Sequence, residues 1–413
     1  MDTEIFVFAN WEEFAKPVLV GRLRSAVSNK NREHYSFTYD EAWLKSPNAQ
    51  KIDPDLHLFS GEQHNMDSNN FHVFLDSCPD RWGRLLMKRR EAILARQQER
   101  RPRMLYEVDY LLGVHDIYRQ GALRFKSSLD GEFLDNDERL SAPPMSSLRD
   151  LEYAVQQVEV GDRDDADYLK WLFMLISPGS SLGGARPKAS VVDDENHLWI
   201  AKFPSQYDDY DIAAWEYLAY KLALDAGIKM APCRIEKFNN HHHTFLTQRF
   251  DRTAMGRKHF TSALTQLGYY DGEYDASYLE LAQFLTEHGT NTKKDLEQLW
   301  RRIVFNIAVS NTDDHLRNHG FIYHKGGWLL SPAYDINPVT PTNGLHLNIS
   351  DDDNSLNYDL AMEVSDFFQL QYADAEKIKG EVLTSVRQWE RVAKSIGISR
   401  HELQIMSTAF NIG

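Results

Sequence analysis

The sequence SNTDDHLRN, residues 310–318, decides the predicted fold, because it places a carboxylate and an amide at a fixed spacing after an apolar segment. Asp313 and Asn318 are five positions apart, and the residues before Ser310 have the apolar pattern of a buried helix. A carboxylate in such a loop can accept the proton of a substrate hydroxyl, and an amide oxygen one turn later can bind Mg²⁺. Asp, Asn and His are also common in turns, so these residues alone leave a structural role open.

The residues that follow favour the chemical role. Residues 321–324 and 328–330 flank Lys-Gly-Gly and predict a β-hairpin, after which the sequence SPAYD ends at Asp335. Protein kinases combine an Asp-x-x-x-x-Asn catalytic loop with a metal-binding Asp just beyond the next hairpin. A plain hairpin with a helix-capping Asp is the alternative.

Three upstream features occupy positions that phosphate-binding residues have in kinases. Residues 178–188, PGSSLGGARPK, form a Gly- and Ser-rich segment whose backbone amides could hold phosphate oxygens, although it fits no glycine-rich consensus and could be a linker. Lys202 ends the predicted strand LWIAK, where the phosphate-binding Lys of kinases lies, and Glu216 on the next predicted helix could pair with it. A surface lysine and a solvated helix face are the ordinary explanations of these two residues.

The order of these features along the chain is that of protein kinases, and we therefore predict phosphoryl transfer. The predicted fold class is α+β and bilobal, with a strand-containing N-terminal subdomain and a mostly helical C-terminal lobe. The main strands and helices behind this division are predicted at 4–8, 18–24, 35–39, 276–287, 294–309 and 374–395. The expected domains are an N-terminal subdomain at 1–128, a region like the kinase N-lobe at 148–251, and a helical C-lobe at 252–413.

The composition restricts the function classes. The chain has 413 residues, of which 46 are Lys or Arg and 61 are Asp or Glu, and its formal charge is −15. This balance argues against general nucleic-acid binding, in which neutralisation of phosphates supplies much of the affinity. Two cysteines exclude a disulfide scaffold, and without a signal peptide or a long apolar run we expect a cytoplasmic protein with no membrane partner. The basic stretch at 88–103 is either a solvated helix face or a partner surface.

Together these motifs resemble the HipA family, which are serine/threonine kinase toxins of bacterial type II toxin–antitoxin systems. The resemblance is carried by SSLGGARPK at 180–188, RFDR at 249–252, NTDDHLRN at 311–318 and SPAYD at 331–335, and in the N-terminal subdomain by VGRL at 20–23, PDRWGR at 79–84 and GALRF at 121–125. It implies that Asp313 is the catalytic base and that Asn318 and Asp335 bind Mg²⁺. It implies contacts to ATP from Ser181, Leu182, Gly183, Gly184, Ala185, Lys202, Gln248, Phe250 and His315.

The resemblance also implies regulation and partners. Ser181, or the neighbouring Ser180, would be autophosphorylated, and the added charge would repel the nucleotide phosphates. The implied partner is a HipB-like helix-turn-helix antitoxin that supplies most DNA contacts, and the implied substrate is an aminoacyl-tRNA synthetase. Arg186-Pro187 replaces a Gln-Glu pair of the founding member, and the proline removes one amide donor from the loop. A small-molecule kinase and a catalytically silent, antitoxin-binding corepressor are the alternatives.

Overall fold

The computed structural model describes most of the chain, namely residues 2–28, 31–65, 70–138, 141–160, 166–176, 186–254, 256–273, 275–340 and 344–413. The chain divides into two compact units. The first comprises Met1–Gln206 and Asp251–Thr261, and the second comprises Tyr207–Phe250 and Ser262–Gly413. The three domains predicted from the sequence divide the chain differently, and that division stays a prediction.

A five-stranded antiparallel sheet, with strand order β4-β3-β2-β1-β5, organises the first unit. Its strands are β1 (Asp2–Ala9), β2 (Val18–Val27), β3 (Glu33–Tyr39), β4 (Glu62–His64) and β5 (Leu123–Lys126). In β1 the fully buried Ile5 and Val7 alternate with more exposed residues, as expected of a sheet with one covered face. A Cβ atom at Gly21 would lie 2.3 Å from the carbonyl oxygen of Thr38, so the close approach of β2 and β3 requires glycine there. The strands predicted near the N-terminus are confirmed.

The rest of the first unit is mainly helical. Its helices are α1 (Glu41–Leu44), α2 (His72–Asp76), α3 (Arg81–Gln97), α4 (Glu107–Leu112), α5 (Leu148–Val160) and α6 (Ala166–Ile176), with 3-10 turns at Asp116–Tyr118 and Met145–Ser147. Its other strands are β6 (Lys188–Val192), β7 (Leu198–Lys202), β10 (Arg252–Thr253) and β11 (Gly256–Arg257), and β12 (Phe260–Ser262) runs through the boundary between the units. β6 and β7 form an antiparallel hairpin.

The second unit is mostly helical, as predicted for the C-terminal lobe. Its helices are α7 (Ile212–Asp225), α8 (Ala263–Gln266), α9 (Tyr278–His288), α10 (Thr292–Val309), α11 (Tyr358–Glu363), α12 (Tyr372–Val386), α13 (Trp389–Ile396) and α14 (Arg400–Met406), with 3-10 turns at Leu316–Asn318, Ser365–Phe368 and Ser407–Ala409. Its strands are β8 (Cys233–Glu236), β9 (Thr244–Gln248), β13 (Gly320–His324) and β14 (Gly327–Leu330), paired as two antiparallel hairpins.

Helix α10 forms the centre of the second unit. Every residue from Leu299 to Val309 is buried, including the aromatic ring of Trp300 and the polar side chains of Arg302 and Asn306. A helix buried on all sides must satisfy its polar groups internally, and Arg302 does so in part by donating from Nη2 to the carbonyl oxygen of Ser331 at 2.5 Å. α10 therefore provides a rigid support for the loop that follows it.

One predicted helix is wrong. Residues 374–395 were expected to be one helix, but the structure has α12 and α13, with the break at Arg387 and Gln388. No glycine or proline marks this break in the sequence. Trp389 begins α13, and its ring stacks on Phe410 with centroids 4.2 Å apart, so a contact with the distant C-terminal segment accompanies the change of direction. Among the described residues, no helix has the length and apolarity that crossing a membrane requires.

Candidate active site

The loop between α10 and β13 begins with a sharp change of backbone direction. Ser310 has φ 49° and ψ 48°, which is the left-handed conformation that ends many helices. The amide of Asn311 donates to the carbonyl oxygen of Asn306 at 2.9 Å, so the last turn of α10 still holds the start of the loop. The chain then passes through Asp313 and the 3-10 turn at Leu316–Asn318 before β13 starts.

Asp313 and Asn318 meet in this loop. Asn318 Nδ2 donates to the backbone carbonyl oxygen of Asp313 at 3.0 Å, whereas the Asp313 side chain is exposed. Asn318 is 4 % exposed, and its buried Oδ1 has no hydrogen-bond partner among the described residues. A buried amide oxygen without a partner is costly unless it binds something, and the oxygen chemistry fits Mg²⁺.

The next residue, Asp314, is buried and accepts several hydrogen bonds. Its Oδ2 accepts hydrogen bonds from Asn306 Nδ2 at 2.7 Å, from His319 Nε2 at 2.8 Å and from the hydroxyl of Tyr278. Burial by itself would raise the pKa of Asp314, but the charge of His319 and these hydrogen bonds hold the pKa below its usual value. Burial and the Asp314 charge raise the pKa of Tyr278 well above its usual value, so its hydroxyl stays a donor.

The segment after the hairpin returns to the start of the loop. The amides of Asn337 and Val339 donate to Asn311 Oδ1 at 3.2 Å and to the Ser310 carbonyl oxygen at 3.3 Å. Asp335, just before these contacts, has φ 59°, a left-handed conformation that only a minority of residues other than glycine adopt. Strained backbone of this kind is concentrated at functional sites, so the conformation of Asp335 marks it as a candidate.

Tyr334 joins this segment to two other parts of the second unit. Its hydroxyl donates to the carbonyl oxygen of Arg317 at 2.8 Å, and its ring packs against Phe250, with centroids 5.8 Å apart. Phe250 lies two residues after Gln248, the last residue of β9, and begins the turn that follows this strand. The residues expected to face the adenine therefore lie in the same unit as the loop.

His315 is half-buried, and the charges of three carboxylates of this region affect its pKa. Burial is the largest influence on its pKa and lowers it, as does Arg317, while Asp313, Asp314 and Asp335 oppose that shift. The lowered pKa favours a neutral imidazole at pH 7, and its buried Nδ1 has no partner among the described residues. No sequence motif indicates His346, whose ring lies 5.7 Å from that of His315 in an edge-to-face arrangement.

The structure thus brings together one group of the predicted residues. Asp313, His315, Asn318 and Asp335 belong to one connected region of the second unit, and Phe250 contacts that region through Tyr334. The other predicted residues are not among those joined by these contacts. Glu216 is buried in α7 of the second unit and Lys202 ends β7 of the first, so their pairing stays a prediction. Ser180, Ser181, Leu182, Gly183, Gly184 and Ala185 lie outside the described residues.

The basic stretch at 88–103 is partly neutralised within the first unit. Arg100 Nη1 lies 2.5 Å from Glu91 Oε1, and Arg103 Nη1 lies 2.7 Å from Asp109 Oδ1. Arg100 and Arg103 lie beyond the end of α3 at Gln97, so both interpretations of this stretch, a solvated helix face and a partner surface, stay predictions.

No sequence motif indicates a group of possible metal-ligand atoms that the structure shows in the first unit. One atom each from Asp53, Asp55 and His72 lies within 4.8 Å of the others. Nδ1 of the buried His72 lies 3.8 Å from Asp53 Oδ1 and 3.6 Å from Asp55 Oδ2. An ion pair of a protonated imidazole with two carboxylates therefore accounts for the arrangement.

The comparison with known families decides the classification. The model of the HipA-like C-terminal domain matches residues 180–403, which is just over half of the chain. The chain belongs to this family. That result confirms the resemblance found in the sequence, and the match includes the loop, the hairpin and Asp335.

The relatives of this HipA-like chain are distant. A protein of Haemophilus influenzae with a provisional kinase name is 27 % identical over 195 residues, which is 41 % of this chain and 57 % of that protein. A Sinorhizobium fredii protein with the same kind of name is 27 % identical over 156 residues, or 35 % of this chain and 38 % of that protein. The chain therefore spans little more than half the length of the curated relatives that it matches, and less in the second case.

The fold similarity extends over nearly the whole chain. HipA in the complex of Shewanella oneidensis MR-1 HipA, HipB and operator DNA is similar with a TM-score of 0.65 and 16 % sequence identity. The alignment covers 98 % of this chain and 94 % of that one. The predicted α+β fold of the HipA type is thereby confirmed.

Proposed function

We propose that this HipA-like protein is an ATP- and Mg²⁺-dependent serine/threonine protein kinase that acts as the toxin of a toxin–antitoxin system. The observation that carries the proposal is the loop of the second unit, in which Asp313 is exposed while the buried Oδ1 of Asn318 has no partner among the described residues. Phosphoryl transfer requires a group that accepts the proton of the attacking hydroxyl and an oxygen that binds the metal ion. One hydrogen bond, from Asn318 Nδ2 to the Asp313 carbonyl oxygen, holds these two residues together.

In the proposed reaction Asp313 accepts the proton of a serine or threonine hydroxyl as that oxygen attacks the γ-phosphorus of ATP. The bond to the β-phosphate oxygen breaks, and ADP leaves with the electron pair of that bond. Asn318 Oδ1 and the Asp335 carboxylate would hold Mg²⁺, which supplies neutralisation of the phosphate charge when bound. The neutral imidazole of His315 would contact the nucleotide.

The remaining ATP contacts are proposed from the family resemblance. Lys202 would contact the phosphates, with Glu216 as its partner, and Gln248 and Phe250 would face the adenine. The Gly- and Ser-rich segment would cover the phosphates through Ser181, Leu182, Gly183, Gly184 and Ala185. Autophosphorylation at Ser181 or Ser180 would then inhibit the enzyme, since about 1.5 to 2 negative charges would be added next to the nucleotide.

The proposed biological role includes two macromolecular partners. One is a HipB-like antitoxin, which would provide most DNA contacts for this acidic chain, and the other is a translation protein such as an aminoacyl-tRNA synthetase. The similar Shewanella HipA occurs in a complex with HipB and operator DNA, which supports the first partner. We expect the protein to act in the cytoplasm, where such a substrate is found.

Mass spectrometry after incubation with MgATP tests the proposal. We expect the purified wild type, shown beforehand to be unphosphorylated, to gain one phosphate on Ser180 or Ser181, and the Asp313→Asn variant to gain none. Transfer to an aminoglycoside or choline without any protein phosphorylation would identify a small-molecule kinase instead. ATP binding without transfer to any acceptor would favour a silent corepressor.

A further inference from the structure

Each of the two central loop residues is followed by a buried one. Asp314 comes after Asp313, and His319 comes after Asn318. Asp314 and His319 are therefore five positions apart, as Asp313 and Asn318 are. Asp314 and His319 are 3 % and 2 % exposed, and Asp314 Oδ2 lies 2.8 Å from His319 Nε2. This contact joins the two ends of the loop. Each of its two residues directly follows a residue that the proposed reaction uses.

The contact is tied to two helices of the core. Asp314 Oδ2 also accepts hydrogen bonds from Asn306 on α10 and from Tyr278 at the start of α9. Asn306 Nδ2 lies 3.2 Å from the Tyr278 hydroxyl oxygen as well, so the polar groups contact one another in an apolar environment. His319 Nδ1 has no hydrogen-bond partner among the described residues, so the contact with Asp314 is made through Nε2. Displacement of this network is costly, because each broken bond to Asp314 Oδ2 leaves a desolvated group without that partner.

The same network extends towards the proposed metal ligand beyond the hairpin. Asn311 Nδ2 donates to Asn306 Oδ1 at 3.1 Å, and Asn311 Oδ1 accepts from the amide of Asn337 at 3.2 Å. Asn337 is two residues after Asp335. The network therefore contacts both chain segments that carry the proposed reacting groups.

We propose that Asp314 and His319 are positioning residues, which set the geometry of Asp313, Asn318 and Asp335 through a buried hydrogen-bonded pair. This inference rests on the proposed kinase function of the loop. Neither residue touches substrate; the pair acts on the backbone to which the reacting groups are attached. Displacement of a reacting group by about 1 Å can cost on the order of 100-fold in rate, which gives such a pair a measurable role.

Three variants separate positioning from general stabilisation. His319→Leu removes the hydrogen-bond donor to Asp314. His319→Gln places a side-chain amide nitrogen near the position of Nε2 and so keeps a donor there. Trp300→Phe is the control, because it removes another buried hydrogen bond of α10, from Trp300 Nε1 to the Ala361 carbonyl oxygen at 3.0 Å, without touching the loop. For all variants we would measure the thermal midpoint of unfolding, kcat, the KM for ATP and the affinity for Mn²⁺. The loop site is defined as the Mn²⁺ site that is lost in Asn318→Ala.

We expect His319→Leu, assayed below its thermal midpoint, to lose about 10- to 100-fold in kcat with less than about a threefold change in KM for ATP. Its loop-site affinity for Mn²⁺ should fall, and His319→Gln should restore most of both losses. Trp300→Phe should lower the thermal midpoint and leave kcat unchanged. If His319→Leu does not fold, Asp314→Asn, which has the same shape without the charge, takes its place.

Two results would overturn the inference. One is a kcat of His319→Leu within about twofold of the wild type, and the other is an equal loss of kcat in Trp300→Phe. If the wild type transfers phosphate to no acceptor, the proposed function fails and Mn²⁺ alone decides: an unchanged loop-site affinity in His319→Leu then rejects positioning, and a reduced one supports it.

Discussion

Lys188 Nζ lies 2.6 Å from Asp80 Oδ2, and the two side chains are only 3 % and 7 % exposed. Asp80 is also the N-cap of α3, where its Oδ1 accepts a hydrogen bond from the Gly83 amide at 2.8 Å. Lys188 is the first residue of β6 and the last residue of the Gly- and Ser-rich segment at 178–188. The pair therefore connects two motifs of the family resemblance within the first unit, and it fixes the point at which that segment ends.

We expect Asp80→Ala to destabilise the first unit by about 3–5 kcal/mol, since it leaves the Lys188 ammonium buried without this partner and also removes a helix cap. Urea unfolding followed by circular dichroism measures the change. Glu41→Ala is the control, because it removes an ion pair to Lys45 in which both side chains are largely exposed, and it should change stability little. A loss of less than about 1 kcal/mol in Asp80→Ala would show that the buried pair is dispensable.

Asp313→Asn should reduce phosphate transfer by about 100- to 10,000-fold, because the amide cannot accept the proton of the attacking hydroxyl. Its unfolding free energy should be unchanged, since the side chain is exposed. Initial rates of phosphate incorporation from labelled ATP provide the measurement. Asp352→Asn, another exposed aspartate of the same unit, should retain full activity. Comparable rates in Asp313→Asn and wild type would exclude Asp313 as the base.

Asn318→Ala and Asp335→Asn should each raise the Mg²⁺ concentration for half-maximal activity by about tenfold or more, because the first removes an oxygen ligand of the proposed cation and the second replaces a charged carboxylate with a neutral amide. Activity titrations with Mg²⁺ at saturating ATP measure this shift. Asn48→Ala, at an exposed position of the first unit, is the matched control and should titrate like the wild type. Unchanged titrations in both site variants would contradict the assignment of these residues as ligands.

The stability of the first unit should depend on pH through His72. Burial by itself would lower the pKa of His72, but the neighbouring carboxylate of Asp53 and the charges of Asp55 and Asp76 raise it above its ordinary value of 6.5. The folded state then binds the proton more tightly than the unfolded state does. The stabilisation is complete below pH 6.5 and is lost as the pH rises through the folded-state pKa.

Urea unfolding of the wild type and of His72→Phe at several pH values tests this dependence. The difference in unfolding free energy between the two proteins should be largest at low pH and should shrink above pH 6.5. A difference that grows with pH would show that His72 is neutral in the folded protein. Zn²⁺-dependent stabilisation of the wild type alone would show instead that a metal replaces the proton.

The two cysteines should react at very different rates. Cys78 is buried, and its burial raises the pKa of its thiol far above the usual value, so it should stay protected in the folded protein. Cys233 is only partly buried. Titration with a thiol reagent under native conditions should therefore modify one thiol quickly, and Cys233→Ser should abolish that fast phase. Rapid modification of both thiols in Cys233-containing protein would contradict the described packing around Cys78.

Features that depend on neighbours along the chain could be predicted from the sequence. The hairpin at 320–330 and helix α10 follow from periodicity and turn residues, and the five-residue spacing of Asp313 and Asn318 needs only a short loop. The break between α12 and α13 could not be predicted, since Trp389 stacks on Phe410, which is 21 positions away. The pairs of Asp80 with Lys188 and of Asp53 with His72 likewise join distant segments and have no local signal.

The sequence by itself pointed to the family, predicted the type of chemistry and determined the two adjacent aspartates at the loop. Their different environments were decided only by the tertiary structure. Asp313 is exposed, whereas Asp314 is buried because Tyr278, Asn306 and His319 provide three hydrogen-bond donors at one point of the core. A carboxylate can be buried only where such partners converge, and their convergence depends on how α9 and α10 pack together.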